Sequence, residues 1–571
     1  MRILFLTHSF NCLAQRLFVE LARRGHEVSI EFDVNDEVSI DAVGLCRPDV
    51  IIAPFLKRAI PEAVWKRHLC LVIHPGIKGD RGPSALDWAI LQGRREWGVT
   101  VLQANAEMDA GDIWASVGFP MREASKSSLY RNEVTEAAVS AVLQSIDALG
   151  DPGFRPEPLD YSNSGVCGVA RPLMRQADRA IDWSRDDTET VLRKIRSADG
   201  FPGVLSSVCD MPVHLFDAHR EHVLRGGRPG TLTAKRDGAI LRATVDGAVW
   251  ITHLKRQDEA EPQLKLPAAQ VLGDRLQGVP DAPPVSDDDA GAARWREIRY
   301  EESNGVGYLH FPFYNGAMGT RQCVRLREAF VRARSRPTRV IVLMGGSDFW
   351  SNGIHLNLIE SAIDPADESW RNINAIDDLA REIIVTPGHI TVAALQGNAG
   401  AGGVFLAMAA DRIWARSGVV LNPHYKSMGN LYGSEYWTYL LPRRAGSRQA
   451  REITENRLPL GTPEARRFGL IDAHFGSSRS EFAMEVKARA EALAAEDRYA
   501  SLLAEKNARR AADEAHKSLE QYRMEELARM RLNFYGFDPS YHVARYNFVF
   551  RVPHSRTPLH LAAHRRGLNC R

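Results

Sequence analysis

Cysteine is scarce and unpatterned in this chain: seven in 571 residues, none in a C-x-x-C pair. That spacing argues against both a structural zinc site and a disulfide framework, and no metal is expected in the protein itself. Charge imbalance is missing too. A formal net charge of +2 argues against nucleic acid or an anionic membrane as the principal partner. No apolar run approaches the ~18 residues that cross a bilayer. Met1-Arg2 leads straight into an apolar strand with no small-residue cleavage site behind it, so a cytoplasmic protein is expected. No internal repeat joins the halves, and at ~150 residues per domain the length implies three or four domains.

What is present is a pair of glycine turns. Thr391 to Asp411, TVAALQGNAGAGGVFLAMAAD, reads as an apolar strand, a turn with Gly397, Gly400, Gly402 and Gly403, and a buried helix. Glycines let backbone approach a ligand, and a helix N-terminus turns unpaired N–H groups and a positive dipole toward it. One such turn alone is equally a tight strand-to-helix connection, and the G-x-G-x-x-G order of a dinucleotide site is absent. Arg339 to Glu360, RVIVLMGGSDFWSNGIHLNLIE, repeats the design. Two turns supply two converging N–H donors. Such donors suit a thioester carbonyl on which negative charge builds, and are worth a few kcal/mol each of barrier.

The N-terminal part alternates strands and helices, with strands predicted over 3–7, 27–30, 49–54 and 70–73 and a helix over 13–24. Such alternation implies a parallel sheet with ligands beyond the carboxyl ends of its strands. His74 leaves the last of these strands at that edge, and Asp109 and Asp112 lie in a glycine-containing turn further on. An imidazole with a nearby carboxylate suits proton transfer. On its own His74 is an ordinary loop histidine, and one aspartate is an ordinary turn or cap residue.

Two resemblances carry these patterns further. WSNGIH and GNAGAGG resemble the two oxyanion-hole turns of the crotonase (enoyl-CoA hydratase/isomerase) superfamily. By position, that likeness implies the amides of Ile354 and Gly402 as the hole, with Gly353 and Gly403 lining a coenzyme A site. HPGIKGDRGPSALDWAI and GVTVLQANAEMDAGD resemble the formyltetrahydrofolate-using family of methionyl-tRNA formyltransferase, and AIDW, RPGT and DGAILRATVDGAVWITHLKR resemble its second domain. This likeness implies 10-formyl-tetrahydrofolate as one-carbon donor, His74 and Asp112 as catalytic residues, and Phe55, Leu56 and Lys57 as the pterin loop. The fold expected is multidomain α/β: a Rossmann-like parallel sheet of formyltransferase type (1–155), a small β-barrel (165–275), a linker (276–294), a crotonase-like ββα spiral (295–480) and a helical tail (481–571).

Departures from both patterns matter as much. The asparagine expected two residues before the histidine is Val72, which donates no hydrogen bond. Asn11 is a candidate substitute, or simply a helix N-cap. A thiol acceptor, already partly ionised near neutral pH, would make the missing donor less costly. The two hydratase glutamates are replaced by Phe405 and His424, so addition of water to an enoyl thioester is not expected. NPHYKSMGNLYGSEYWTYLL still offers Tyr425 and Glu435 as catalytic candidates, with Tyr439 one helical turn on and more simply a packing residue. In the tail, Arg545 or Arg551 could meet a CoA phosphate, or the tail could lie on the other half.

A formyl donor site and a thioester site on one chain point to formyl-CoA as the shared intermediate. It has no α-carbon, so the reactions left are hydrolysis to formate or loss of the formyl proton with departure of CoA, yielding carbon monoxide. Glu435, assisted by Tyr425, is the candidate base. The fused combination, including LYGSEYWTYLL, resembles a family of hydrogenase maturation factors. That resemblance implies carbon monoxide for the Fe(CN)2CO group of a [NiFe]-hydrogenase, with hydrogenase maturation proteins as recipients. A formate-releasing hydrolase and a non-catalytic folate- and CoA-binding assembly protein stay open as alternatives.

Overall fold

The computed structural model describes residues 1–258, 263–285 and 294–566, so part of the expected 276–294 connection lies outside the described residues. The chain divides into two compact units, one formed by Met1–Ala282 with the segment that begins at Pro553, the other by Pro283–Val552.

In the first unit the strand Arg2–Thr7 is buried at five consecutive positions, as a central parallel strand covered on both faces must be. The sheet runs Glu27–Phe32, Arg2–Thr7, Val50–Ala53, Cys70–His74, Glu96–Gln103, Ile113–Pro120. The first four strands are parallel, but the last two are antiparallel. The all-parallel expectation therefore stops at Cys70–His74. Residues 104–112 are too few for a crossover and close a hairpin instead. At the carboxyl edge, the Phe55 carbonyl accepts from His8 N at 2.7 Å and from Thr7 Oγ1 at 3.1 Å, which fixes the 55–57 loop beside the first strand. A second sheet, antiparallel in the order Val204–Val208, Met211–Glu221, Ala248–Arg256, Ala239–Ala243, Leu232–Arg236, packs on the helix Thr188–Ala198 through Val191, Leu192 and Ile195.

Residues from Pro553 onward return to this unit and cover the strand Glu27–Phe32. Ile30 N donates to the Leu561 carbonyl at 3.1 Å, and Phe32 N to Thr557 Oγ1 at 2.7 Å. Glu31, 1 % exposed, is bound by Thr557, by His564 Nε2 at 2.9 Å and by Arg565 Nε at 2.7 Å. Burial alone would raise its pKa, but the hydrogen bonds from His564, Thr557 and Arg565 hold it below the ordinary 4.5.

The second unit has a six-stranded sheet, Arg299–Ser303, Val306–His310, Val340–Leu343, Ile390–Leu395, Arg412–Arg416, Ala473–Phe475, parallel after its opening hairpin. A smaller sheet lines up Phe349–Ser351, Asn398–Gly400, Val420–Asn422 and Leu460–Gly461. Its first two strands pair in parallel, so the glycine turns that follow them emerge side by side. The helices Pro365–Ile384 and Leu519–Tyr535 contribute buried faces to the same core. Among the described residues no helix is long and apolar enough to cross a membrane, and no group of three or more His, Cys, Asp or Glu is placed to hold a metal ion.

Replacing both His564 and Arg565 with Ala should destabilise the first unit by about 3–5 kcal/mol, because a buried charge loses its partners. A depressed carboxylate stabilises only while ionised. The loss should therefore be full at pH 7 and vanish well below 4.5, read by urea unfolding at the two pH values.

Candidate active site

The first unit builds its site around the buried strand end at His74. Nε2 faces Asp80 Oδ1 at 3.0 Å and Nδ1 faces Asp109 Oδ2 at 3.5 Å, with the histidine 4 % and Asp80 2 % exposed. A carboxylate at each ring nitrogen fixes the imidazole's orientation. The loop is tight: a Cβ on Gly76 would lie 2.4 Å from His74 Nε2, so only glycine fits. Trp97 Nε1 donates to the Pro75 carbonyl at 2.9 Å and Thr100 Oγ1 to that of Gly76 at 2.9 Å. Residues after 156 are laid over the loop. Tyr161 OH donates to the Gly79 carbonyl at 3.0 Å, Gly168 N to that of Lys78 at 2.9 Å, and Arg171 Nε stands 3.7 Å from Asp80 Oδ2.

The expected pairing of His74 with Asp112 is corrected here. The side chain of Asp112 is exposed, because Ile113 opens a strand facing inward and its neighbour must face outward. Asp109, held in a left-handed turn conformation at φ 55°, occupies the place by the histidine and accepts from Gly82 N at 3.1 Å. Asn11 is the N-cap of the helix Cys12–Arg23, its side chain accepting from Ala14 N at 3.0 Å and donating to Tyr130 OH at 3.4 Å. Val72 and Leu56 pack against the apolar cluster of Leu4, Ile51 and Val64. Phe55 meets the Tyr130 ring edge-on at 6.4 Å, and Lys57 is exposed.

In the second unit the two turns meet. A Cβ on Gly353, whose φ is +76°, would lie 3.2 Å from Gly402 N, and one on Gly403 2.1 Å from the Ser351 carbonyl. Ser351 Oγ accepts from Gly353 N at 3.1 Å, and the Gly353 carbonyl from Met318 N at 2.9 Å. Among the described residues neither Ile354 N–H nor Gly402 N–H donates to a protein acceptor. Two adjacent amides left unpaired in a buried turn suit a ligand oxygen.

Glu435 stands against this pair. A Cβ on Gly402 would lie 2.0 Å from its Oε1. The glutamate is 1 % exposed, and its Oε2 accepts from Tyr425 OH at 2.5 Å. Burial, then the charge of Asp377, raises its pKa from 4.5 to about 8 against the opposing Tyr425 hydrogen bond. Tyr425 is itself pushed well above 10 by burial and by the Glu435 charge. Phe405 stacks on the Tyr425 ring at 5.1 Å and 19°, supplying an apolar wall where hydratases have a carboxylate. His424 is half-buried on the adjoining loop.

Other candidates are structural. Tyr439 OH donates to Asp513 Oδ2 and accepts from Arg510, both at 2.7 Å. Arg545 is buried and bound to Glu360 Oε2 at 2.6 Å, fastening the helix Ser540–Val549 to Leu356–Glu360, so it is not available to a phosphate. Sequence reasoning missed Asp80, Asp377, Ser434 and Glu526. Asp80 lay inside a quoted motif, whereas Asp377 and Glu526 sit among other charged residues, outside any motif.

Comparison with known proteins fits this division. Residues 26–146 match the formyl transferase family model, 173–265 the formyl transferase C-terminal domain, and 302–530 the enoyl-CoA hydratase/isomerase family. The fold and the two sites thus define a formyltransferase fused to a crotonase-like half. Methionyl-tRNA formyltransferase of Desulfotalea psychrophila is 28 % identical over 221 residues, 36 % of this chain and 67 % of its own. Hydrogenase maturation factor HoxX of Bradyrhizobium diazoefficiens is 56 % identical over 565 residues, 99 % of this chain and 97 % of its own. The crystal structure of HypX from Aquifex aeolicus in complex with tetrahydrofolic acid superposes with a TM-score of 0.94 at 51 % identity, covering 99 % of each chain. The chain belongs to the HoxX/HypX family of hydrogenase maturation factors.

Gly402→Ala should cost about 1–3 kcal/mol, since its Cβ collides with the Glu435 carboxylate. Gly388→Ala, which meets nothing within 4 Å, should stay within about 0.5 kcal/mol. Denaturant melts of the two variants check the contrast.

Proposed function

We propose that the protein, acting in the cytoplasm, makes carbon monoxide for the active-site iron of a [NiFe]-hydrogenase in two steps. In the first unit the thiol of CoA attacks the formyl carbon of 10-formyl-tetrahydrofolate. The thiol proton passes to His74, the carbon–nitrogen bond breaks, and His74 delivers that proton to the departing folate nitrogen, giving formyl-CoA and tetrahydrofolate. Asp80 and Asp109 orient the imidazole for this transfer. The tetrahydrofolate bound in the HypX crystal structure supports the donor. A thiol nucleophile is consistent with Val72, since it asks less of an oxyanion donor than a hydroxyl or amine does.

In the second unit the formyl thioester oxygen would accept from Ile354 and Gly402 N–H. Glu435 removes the formyl proton, the carbon–hydrogen pair becomes the lone pair of carbon monoxide, and the carbon–sulfur pair leaves on the thiolate. Glu435 then returns the proton to sulfur. The single observation carrying this reading is the Glu435 carboxylate, buried at the Gly402 turn and held by Tyr425 OH at 2.5 Å. A carboxyl group raised to about 8 lies close to a thiol near ~8.5, so return of the proton is nearly isoenergetic. Its seclusion from solvent also disfavours the competing delivery of water that would release formate.

Incubation with carbon-labelled 10-formyl-tetrahydrofolate and CoA should yield labelled carbon monoxide only when CoA is present. Glu435→Gln should abolish the gas and accumulate formyl-CoA; labelled formate in its place would overturn the decarbonylation step. Formyl transfer should fall roughly 10²-fold or more in Asp109→Asn and stay near wild type in Asp112→Asn, followed by single-turnover assay of formyl-CoA. Because Glu435 acts as a base only when ionised, carbon monoxide release from formyl-CoA should rise with pH through about 8; a flat profile from pH 6 to 9 would contradict the assignment.

A further inference from the structure

The backbone that carries Glu435 adopts a conformation uncommon for its residue types. Glu435 and Tyr436 are consecutive non-glycine residues in the left-handed region, with φ +58° and +59°, where side chains with a Cβ are disfavoured. Nothing in the local sequence requires this. The turn is held from outside by two carboxylates on different helices. Asp377, on Pro365–Ile384, accepts from Glu435 N with Oδ1 at 2.8 Å and from Ser434 Oγ with Oδ2 at 2.7 Å. Glu526, on Leu519–Tyr535, accepts from Tyr436 N at 3.0 Å with Oε2, which also lies 3.3 Å from Ser434 Oγ, and from Thr438 N at 2.8 Å and Thr438 Oγ1 at 2.5 Å with Oε1. Both are 0 % exposed. The backbone donors of Glu435 and Tyr436 are thereby matched by the two helices, and Ser434 N reaches Glu435 Oε2 at 3.2 Å.

Three acidic side chains thus crowd one buried turn. The titratable groups facing Glu435 are Tyr425 from its own loop region, Asp377 and Glu526 from the two helices, and the Cys323 thiol from Thr320–Arg334. Arg523 is bonded to Asp378 Oδ1 at 2.7 Å and acts on the cluster through its field on Asp377 and Tyr436, the latter also facing Arg381. Burying carboxylates together is costly unless it serves a purpose. The charge of Asp377, and to a smaller degree that of Glu526, disfavours ionisation of Glu435; burial and the Asp377 charge raise Glu526 in the same way, to about 8.

We propose that Asp377 and Glu526 are positioning residues for Glu435: they lock the Ser434–Tyr436 turn in its left-handed form, which aims the Glu435 carboxylate at the Gly402 turn, and they place two further carboxyl groups beside it. The inference rests on the reading of Glu435 as the group that takes the formyl proton. It adds two residues that do not touch substrate and sets the basicity of the site from outside it. Because the three carboxylates interact, they titrate as a unit rather than independently.

The test is a pH titration of the Glu435 carboxyl by infrared difference spectroscopy, with Glu435→Gln subtracted to identify its band. It is run on the full chain as wild type, Asp377→Asn, Glu526→Gln and the charge-retaining Asp377→Glu. Removing either charge should lower the Glu435 midpoint by roughly one pH unit, and the rising limb of carbon monoxide release should follow it. The plateau kcat should fall with the weaker base while KM for formyl-CoA is unchanged. Asp377→Glu should keep the midpoint near that of the wild type. The two neutral variants lie on separate helices, so one that fails to fold leaves the other to report. Midpoints unchanged or raised in a folded neutral variant would overturn the proposal. A lowered midpoint in a protein whose wild type makes no carbon monoxide would sustain the positioning role and remove the decarbonylation reading.

Discussion

A carboxylate placed out of water beside other buried carboxyl groups is unfavourable unless the fold over-determines it. Glu435 meets that condition here. The small sheet pairs Phe349–Ser351 with Asn398–Gly400 in parallel, which brings the two glycine turns within contact and leaves the Ile354 and Gly402 N–H groups without protein acceptors. Gly402 cannot carry a side chain because the carboxylate occupies the space where one would go. Phe405, packed face to face on Tyr425, replaces a hydratase carboxylate with an apolar wall. The crotonase-like half thus brings together one buried carboxylate, one hydroxyl and two unpaired amides.

The first unit poses the opposite problem, an imidazole with a carboxylate at each nitrogen. Its loop is held by backbone contacts from the segment following residue 156, and its glycines are fixed by the close approach of side chains. Val72 stands where the formyltransferase pattern led to the expectation of an amide donor, and the structure has it packed against the apolar cluster behind the strand rather than turned to polar work. In the proposed two-step reaction a sulfur acceptor would reconcile that loss with a working site, since a thiol asks less of an oxyanion donor.

How much of this was legible in the sequence depended on the range of the interactions involved. Ile354, Gly402 and Gly403 could be read because strand, glycine turn and helix are consecutive. Tyr425 and Glu435 could be read because they flank a motif, although their hydrogen bond could not. Choosing between Asp109 and Asp112 was beyond the sequence: they are three residues apart, and the pleat beginning at Ile113 decides which faces the histidine. Asp377 and Glu526 were hidden for a related reason. Each stands among other charged residues on a helix, and only tertiary packing shows that its own position is at 0 % exposure. The parallel sheet was legible through its first four strands and not in its last two: Glu96–Gln103 returns antiparallel to Cys70–His74 after a helical connection, and a short hairpin then pairs it with Ile113–Pro120.

The central claim is that Glu435 takes the proton from a formyl thioester, and the most direct measurement is the kinetic isotope effect on formyl-CoA turnover with deuterium at the formyl carbon. If Glu435 breaks that bond, carbon monoxide release shows a primary isotope effect of several-fold, and the label leaves the carbon for solvent-exchangeable thiol. If the thioester is hydrolysed instead, turnover proceeds without a primary effect and the deuterium stays on formate, which would contradict the account.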